Sequence, residues 1–179
     1  MTKYIAILRG INVGGHRKIL MADLKQLLEK MGLQNVITYI QSGNVIFSST
    51  MSEKDAEKAM KKAVHEKYGF DVPVLVRTVN YFHNLIDNNP YLKDENVDIN
   101  QLYVTFLSEI PNESAIEKLE NTDFNKDKFT VIGDVVFLCF NSKLSDSKLD
   151  NNIIEKKLNL TATTRNWKTV LKLIELSGN

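Results

Sequence analysis

Segments with the patterns of strands and helices follow one another in a fixed order along this chain, and that order limits its fold more than any other feature. The first half alternates as strand, helix, strand, strand, helix, strand. Its four strand patterns lie at residues 3–8, 36–41, 45–49 and 73–78. The first helix is expected to end at Gly32, and the second to begin at Ser52 and end at Gly69. This order is that of a ferredoxin-like fold.

The second half repeats this order up to its last element. Strand patterns at residues 101–107, 129–132 and 135–140 surround a short helix, and two helical patterns follow at 150–158 and 164–176. The last strand is therefore predicted to be replaced or missing, which gives βαββαβ followed by βαββαα. No repeat of residues is visible, so the duplication is one of topology only.

The predicted fold class is α+β, with two ferredoxin-like subdomains packed together. The polar segment 88–100, which contains Pro90, is the expected boundary. The subdomains are accordingly predicted to span residues 1–88 and 89–179.

Composition excludes several classes of protein. Of the 179 residues, 43% are hydrophobic and 25% are charged, which is typical of a globular chain. No apolar run reaches the ~18 residues of a membrane span, so no membrane partner is expected. Cys139 is the one cysteine, which predicts a buried thiol and a protein of the reducing cytoplasm. The three histidines lie in separate segments, so neither a metal nor a cofactor is predicted.

Charge is unevenly distributed. Residues 1–80 contain 12 basic and 7 acidic side chains, whereas residues 81–179 contain 11 basic and 15 acidic ones. No acid precedes Asp23, although four basic residues do. This pattern favours a focused anion site over a broad nucleic-acid surface, and scattered solvated lysines remain the alternative.

A glycine loop follows the first strand. Gly10 and Gly15 have the outer spacing of a phosphate-binding P-loop, but His16 and the residue after it stand where that loop needs Lys and Ser or Thr. Nucleotide hydrolysis by that mechanism is therefore excluded. Two interpretations remain: a small anion nest made by Gly14 and Gly15 with nearby polar side chains, or a turn that reverses the chain.

The last helix is predicted to open with Arg165, Asn166 and Trp167, capped by a preceding threonine. A helix N-terminus with a guanidinium suits a carboxylate or a phosphate. The acidic partner of Arg165 could be internal or an external ligand, and both interpretations stay open. RNA binding by the sheet is disfavoured because residues 44–48 carry one aromatic side chain.

Five separated stretches resemble the domain-of-unknown-function 1697 family, at residues 8–15, 21–24, 39–47, 147–149 and 163–170. The resemblance runs from about residue 3 to residue 176. It implies a bacterial cytoplasmic protein with two α+β subdomains of ferredoxin-like character, and it implies no reaction. The polar signature positions that it marks are Arg9, Asn12, Gly14, Gly15, Gln41, Ser42, Asn44, Ser147, Lys148, Arg165, Asn166 and Thr169.

The sequence favours a protein that binds, and could act on, a small anionic or phosphorylated ligand in a cleft between the halves. The expected ligand-binding residues are Arg9, Asn12, Gly14, Gly15, Lys18, Gln41, Ser42, Asn44, Lys148, Arg165 and Asn166. The alternatives are an interaction module for protein or nucleic acid without catalysis, and motifs that only lock the two halves together. No general acid or base stands out, so activity, ligand identity and oligomeric state stay open.

Overall fold

The computed structural model describes residues 1–143 and 146–178, which form eight strands, six α-helices and two short 3-10 helices. Asn179, the end of the predicted second subdomain, lies outside them. In the first half the elements are β1 (Thr2–Leu8), α1 (Met21–Lys30), β2 (Gln34–Tyr39), β3 (Asn44–Ser49), α2 (Glu53–Tyr68), β4 (Val74–Thr78) and α3 (Val79–Asn88). The 3-10 helices Pro90–Lys93 and Ile99–Gln101 follow, and then come β5 (Leu102–Leu107), α4 (Glu113–Glu120), β6 (Lys128–Ile132), β7 (Val135–Cys139), α5 (Asn151–Leu158), β8 (Ala162–Asn166) and α6 (Trp167–Ser177).

The two halves form separate antiparallel sheets with the same strand order. One sheet runs β2-β3-β1-β4, and the other runs β6-β7-β5-β8. In the first, Tyr4 pairs with Phe47 and Thr78. In the second, Tyr103 pairs with Leu138 and Asn166, so the strands correspond one to one. The α+β fold class is confirmed, and each half has the ferredoxin-like order.

The end of the second half corrects the predicted βαββαα order, because a strand, β8, precedes the last helix. Arg165 lies in this strand opposite Val104, and Thr164 lies opposite Thr105. The two threonine hydroxyls share a hydrogen bond of 2.8 Å across the strands. A short segment rich in β-branched residues thus pairs with the sheet instead of starting a helix. The last helix begins one turn later, at Trp167, and Asn166 caps it by accepting from the Thr169 N–H at 2.8 Å.

Helices α1 and α2 cover one face of the first sheet. Apolar side chains at helical spacing, such as Leu24 and Leu28 on α1, pack with strand residues such as Phe47 in one buried cluster. Helix α2 begins and ends as predicted, since Ser52 accepts from the Asp55 N–H and Gly69 adopts a left-handed conformation with φ of 75°.

The second sheet has its own buried cluster, to which α4 and α5 contribute residues such as Leu119 and Ile154. Strands β6 and β7 are joined by the predicted two-residue turn at Gly133, where Ile132 pairs with Val135. Helix α5 has 8 residues, half the 16 residues of α2, its counterpart in the first half.

The chain divides into two compact units. The first unit contains Met1–Asn84 and Lys172–Asn179, and the second contains Leu85–Leu171. The predicted boundary between residues 88 and 89 stays a prediction. Among the described residues, no helix is both long enough and apolar enough to span a bilayer.

Strands β4 and β8 lie at sheet edges, and side chains occupy backbone groups on both of them. On β4, Glu57 accepts from the Val76 N–H at 3.0 Å, and Glu53 accepts from the Thr78 N–H at 2.9 Å. On β8, Glu155 accepts from the Ala162 N–H at 2.7 Å. In both units a glutamate of the preceding helix therefore binds the edge strand that follows it.

Candidate functional site

Residues 9–19, here called the first loop, form a small hairpin between β1 and α1. The His16 N–H donates to the Val13 carbonyl at 3.0 Å, and the Asn12 N–H donates to the Arg17 carbonyl at 3.2 Å. Gly14 and Gly15, at the turn between them, have φ of 58° and 79°. Positive φ at both central residues is the signature of a type I′ turn, which explains the glycine pair in structural terms.

Asn12 ties this hairpin to residues 40–44, here called the second loop. Its amide donates to the Ile19 carbonyl at 2.9 Å and to the Gln41 carbonyl at 2.9 Å. Its oxygen accepts from the Ile19 N–H at 2.8 Å. The Asn12 side chain therefore closes the first loop and binds it to the second, so that the two form one hydrogen-bonded surface, here called the paired loops.

The second loop lies tightly against the end of β1. A side chain at Gly43 would place its Cβ 2.7 Å from Ile11 Cδ1 and 2.9 Å from Leu8 Cβ, so glycine is required there. The Leu8 N–H donates to the Gly43 carbonyl at 2.8 Å. Ile40 has a φ of 49°, a strained conformation for a β-branched residue. Asn44 is fully buried, and its amide donates to the Tyr39 carbonyl and to Ser42 Oγ, both at 3.1 Å.

The first loop displays three consecutive basic side chains. His16, Arg17 and Lys18 are exposed, and within residues 1–143 and 146–178 none of the three forms an ion pair. No acid occurs in the sequence before Asp23. The segment therefore contains no acid that would neutralise these side chains, and its net charge is positive.

Arg165 was predicted to start the last helix, and this prediction is wrong. It lies buried in β8. Its guanidinium donates to Thr163 Oγ1 at 3.1 Å and to the Thr164 carbonyl at 2.9 Å. Burial lowers the pKa of Arg165 to about 10, which leaves the side chain cationic at neutral pH. Arg165 is therefore not a residue of the helix N-terminus, where the sequence predicted that it would help to bind an anion.

The first unit contains a counterpart of Arg165. Arg77 occupies the same register on β4, opposite Ile5, and donates to the Val76 carbonyl at 2.8 Å. It also forms an ion pair with Glu57 at 3.1 Å. The two arginines at equivalent positions therefore both bind the carbonyl of the preceding residue on an edge strand.

A pocket of about 310 Å³ opens in the second unit between its sheet and the start of α5. Its apolar walls include Leu138, Phe140 and Leu149. The polar residues that line it are Tyr103, Asp150, Asn151, Thr164 and Asn166. Asn151 is held in place because it donates to the Ala162 carbonyl and accepts from Thr164, both at 3.1 Å. This volume is at the lower end of the range of small-molecule sites.

The predicted site residues fall into two groups. The paired loops contain Arg9, Asn12, Gly14, Gly15, Lys18, Gln41, Ser42 and Asn44. The second unit contains Lys148, which is exposed, together with Arg165 and Asn166. A composite site made from both groups stays a prediction, as does ligand contact by each residue.

The sequence-based site omits Arg17 and four polar residues of the pocket, which are Tyr103, Asp150, Asn151 and Thr164. Arg17 stands beside the glycine turn and belongs to the anion nest that the sequence allows, but it is not among the expected ligand-binding residues. The signal for the pocket is weaker: a tyrosine occupies the same strand position in both halves, at Tyr4 and Tyr103.

Metal-binding and thiol chemistry find little support in the described part of the chain. No group of three or more His, Cys, Asp or Glu residues there could hold a metal ion. Cys139 is buried as predicted, and burial raises the pKa of its thiol, so the reactive thiolate is disfavoured.

Comparison with known proteins gives a family and a fold. The family described as "Protein of unknown function (DUF1697)" matches residues 1–137. The solved structure of a conserved bacterial protein, SP0830 from Streptococcus pneumoniae, is similar over 98% of this chain and 98% of its own, with a TM-score of 0.76 and 24% sequence identity. No curated protein matches the chain. The likeness to SP0830 shows a shared fold.

Proposed function

Because the chain belongs to the DUF1697 family, whose description assigns no activity, we propose a function from geometry: the chain binds a small anionic or phosphorylated ligand at the paired loops. The observation that carries this proposal is the hydrogen-bonded first loop, which presents exposed Arg17 and Lys18 beside a glycine turn, neither of them in an ion pair within the described residues. A fixed cationic loop binds an anion without first losing conformational entropy.

Backbone and side-chain donors converge in this loop. Gly14 and Gly15 are exposed, and in the described residues their N–H groups make no hydrogen bond, so both remain available to an anion. Turn N–H groups and a neighbouring guanidinium are a common combination for phosphate oxygens. Gln41, exposed on the second loop, adds an amide next to the carbonyl that Asn12 holds.

The test is a titration with pyrophosphate, measured by isothermal titration calorimetry at low and at high salt. We expect measurable binding that weakens when Arg17→Gln and Lys18→Gln are combined, by at least about tenfold, which corresponds to about 1.4 kcal/mol. Charge-assisted hydrogen bonds of this kind contribute about 1.5–3 kcal/mol each.

A matched control separates local contact from net charge. Lys58 and Lys61 are exposed on α2, and their combined change to Gln removes the same two charges. Pyrophosphate affinity should be retained in this control. Equal losses in both double variants would contradict a site at the paired loops, as would the absence of binding to the unmodified protein.

A second candidate function is an interaction module without catalytic activity, and one observation favours it. Large apolar side chains are exposed at or beside the paired loops: Val13 is 63% exposed, Leu20 69% and Ile40 47%. Apolar side chains next to cations suit a macromolecular surface better than an isolated phosphate. Under this alternative, combining Val13→Ser with Leu20→Ser would abolish partner binding. Pyrophosphate would then bind neither the unmodified protein nor this double variant.

We also propose a cytoplasmic location, supported by the single, buried and unpaired Cys139. Cell fractionation with a reporter fused to the chain tests this proposal. Recovery of the reporter in an oxidising extracytoplasmic fraction would contradict it.

A further inference from the structure

We propose that the pocket of the second unit is a separate binding site for a small amine with an apolar or aromatic body. This site is independent of the paired loops and takes a ligand of the opposite charge. The inference rests on the cavity of about 310 Å³ and on a comparison of the two units at equivalent positions.

The first unit fills the position that the second leaves open. There, Tyr4 is buried, its ring lies 5.5 Å from that of Phe47, and its hydroxyl donates to the Met51 carbonyl at 2.9 Å. In the second unit, Leu138 takes the place of Phe47 opposite the equivalent Tyr103. A leucine occupies less space than a phenylalanine, and Tyr103 is only half-buried.

The shorter helix adds to this opening. Met51 and Leu149 directly precede the N-caps of α2 and α5, so they are equivalent positions in the two units. Helix α5 has only 8 residues, however, and α2 has 16. Two differences therefore accompany the cavity: a leucine replaces a phenylalanine, and the helix that covers this part of the sheet is shorter. The equivalent position of the first unit is filled by side chains, so the fold does not require a cavity at this position of the second unit.

The groups in the pocket select the ligand's charge. Asp150, the exposed N-cap of α5, is the one lining residue with an ionised side chain, so the pocket lining carries one negative charge. Its Oδ1 accepts from the Ile153 N–H at 2.8 Å, and in the described part of the chain its Oδ2 makes no hydrogen bond. The Asn166 amide nitrogen and the Tyr103 hydroxyl are likewise unused among the described residues. A carboxylate beside aromatic rings is the chemistry that binds an ammonium group.

The size and walls select the ligand's body. Tyr103 and Phe140 meet edge to face with centroids 5.1 Å apart, and Leu138 and Leu149 complete the apolar lining. A cavity of this volume holds about one ring with a short chain. Phosphorylated ligands are disfavoured here because they would meet Asp150.

The experiment compares tyramine with 4-hydroxyphenylacetate, which share a ring and a chain length but differ in charge. Each is titrated into the full-length ¹⁵N-labelled protein at up to about 5 mM, which detects millimolar dissociation constants. We expect tyramine to shift the amide resonances of the lining residues, and 4-hydroxyphenylacetate to leave them unchanged. No shift with tyramine, or equal shifts with both molecules, would overturn the proposal.

Two variants place the binding in the pocket. Leu138→Phe introduces the residue that the first unit has at this position and should abolish the tyramine shifts. Asp150→Asn keeps a good helix cap while removing the charge, and should weaken tyramine binding at least about tenfold. Leu138→Ile is the control that retains the pocket. Unchanged tyramine affinity in a folded Asp150→Asn protein would refute the site even if Leu138→Phe failed to fold.

The two proposed sites can fail separately. The combined Arg17→Gln and Lys18→Gln variant should bind tyramine normally, and Asp150→Asn should bind pyrophosphate normally. Loss of both ligands in either variant would show that the sites are not independent and would overturn the assignment made here.

Discussion

Replacing Gly43 by alanine should destabilise the first unit through two separable effects. The first is conformational: Gly43 has a φ of 82°, and a left-handed conformation costs an L-residue about 1–2 kcal/mol. Restriction of the unfolded chain returns about 0.4–1 kcal/mol of this. The second is steric, because the new Cβ would lie 2.7 Å from Ile11 and 2.9 Å from Leu8, both of which are buried.

The steric effect should dominate. Leu8 Cβ is fixed by a central strand, and Ile11 is 1% exposed, so neither can move freely. Overpacking of this kind costs about 1–3 kcal/mol, which brings the expected total to about 1–4 kcal/mol. For a chain of this size, Tm falls by about 2–4 °C per kcal/mol.

Gly32→Ala is the matched control. Gly32 has a φ of 88°, but its added Cβ would have nothing within 4 Å, so this variant carries the conformational cost alone. Urea unfolding followed by circular dichroism should show Gly43→Ala to be less stable than Gly32→Ala by about 1–3 kcal/mol. Equal losses would refute the argument that the second loop and the end of β1 leave no space for a side chain.

Five further substitutions test other contacts by urea unfolding. Asp127→Asn should cost about 2 kcal/mol at pH 7 and much less in acid. Burial raises the pKa of Asp127, but hydrogen bonds from Ser147, Ser142 and backbone N–H groups outweigh this effect and lower the pKa, so the stabilisation is lost as acid protonates the carboxylate. A cost that does not change with pH would contradict this cause. Arg165→Ala should lower the free energy of unfolding by about 3 kcal/mol. Arg165→Met should lower it by less than half as much, because a methionine fills the volume without a buried charge. The reverse order would show that the charge itself is required. Glu57→Gln should cost about 2 kcal/mol through its ion pair with Arg77, whereas Glu53→Gln, which keeps its acceptor for the Thr78 N–H, should cost under about 1 kcal/mol.

Local patterns in the sequence predict most of the fold. The cap at Ser52 and the left-handed stop at Gly69 are short-range features, and both are present where predicted. Strand β8 is different because its existence depends on pairing with β5, whose Thr105 lies 59 residues before Thr164. A segment that precedes a strongly amphipathic helix gives no local sign that a distant strand will bind it.

The candidate site shows the same limit. The sequence marks Asn12 as polar and loop-borne, which is correct, but its partner at Gln41 lies 29 residues away. Only the folded chain shows that this side chain joins two loops. The pocket of the second unit is less visible still, because it depends on which residue stands opposite Tyr103 after the strands have paired.

The occupied edges of β4 and β8 restrict how this protein can associate with others. The Val76 carbonyl is bound by Arg77 and the Thr164 carbonyl by Arg165, so acceptors as well as N–H donors are already used on both strands. A strand from another molecule would have to displace these side chains before pairing there, which disfavours domain swapping and fibril growth at these edges. Helices α2 and α5 precede β4 and β8 in the chain and are therefore synthesised first, so each edge can be closed as soon as its strand docks.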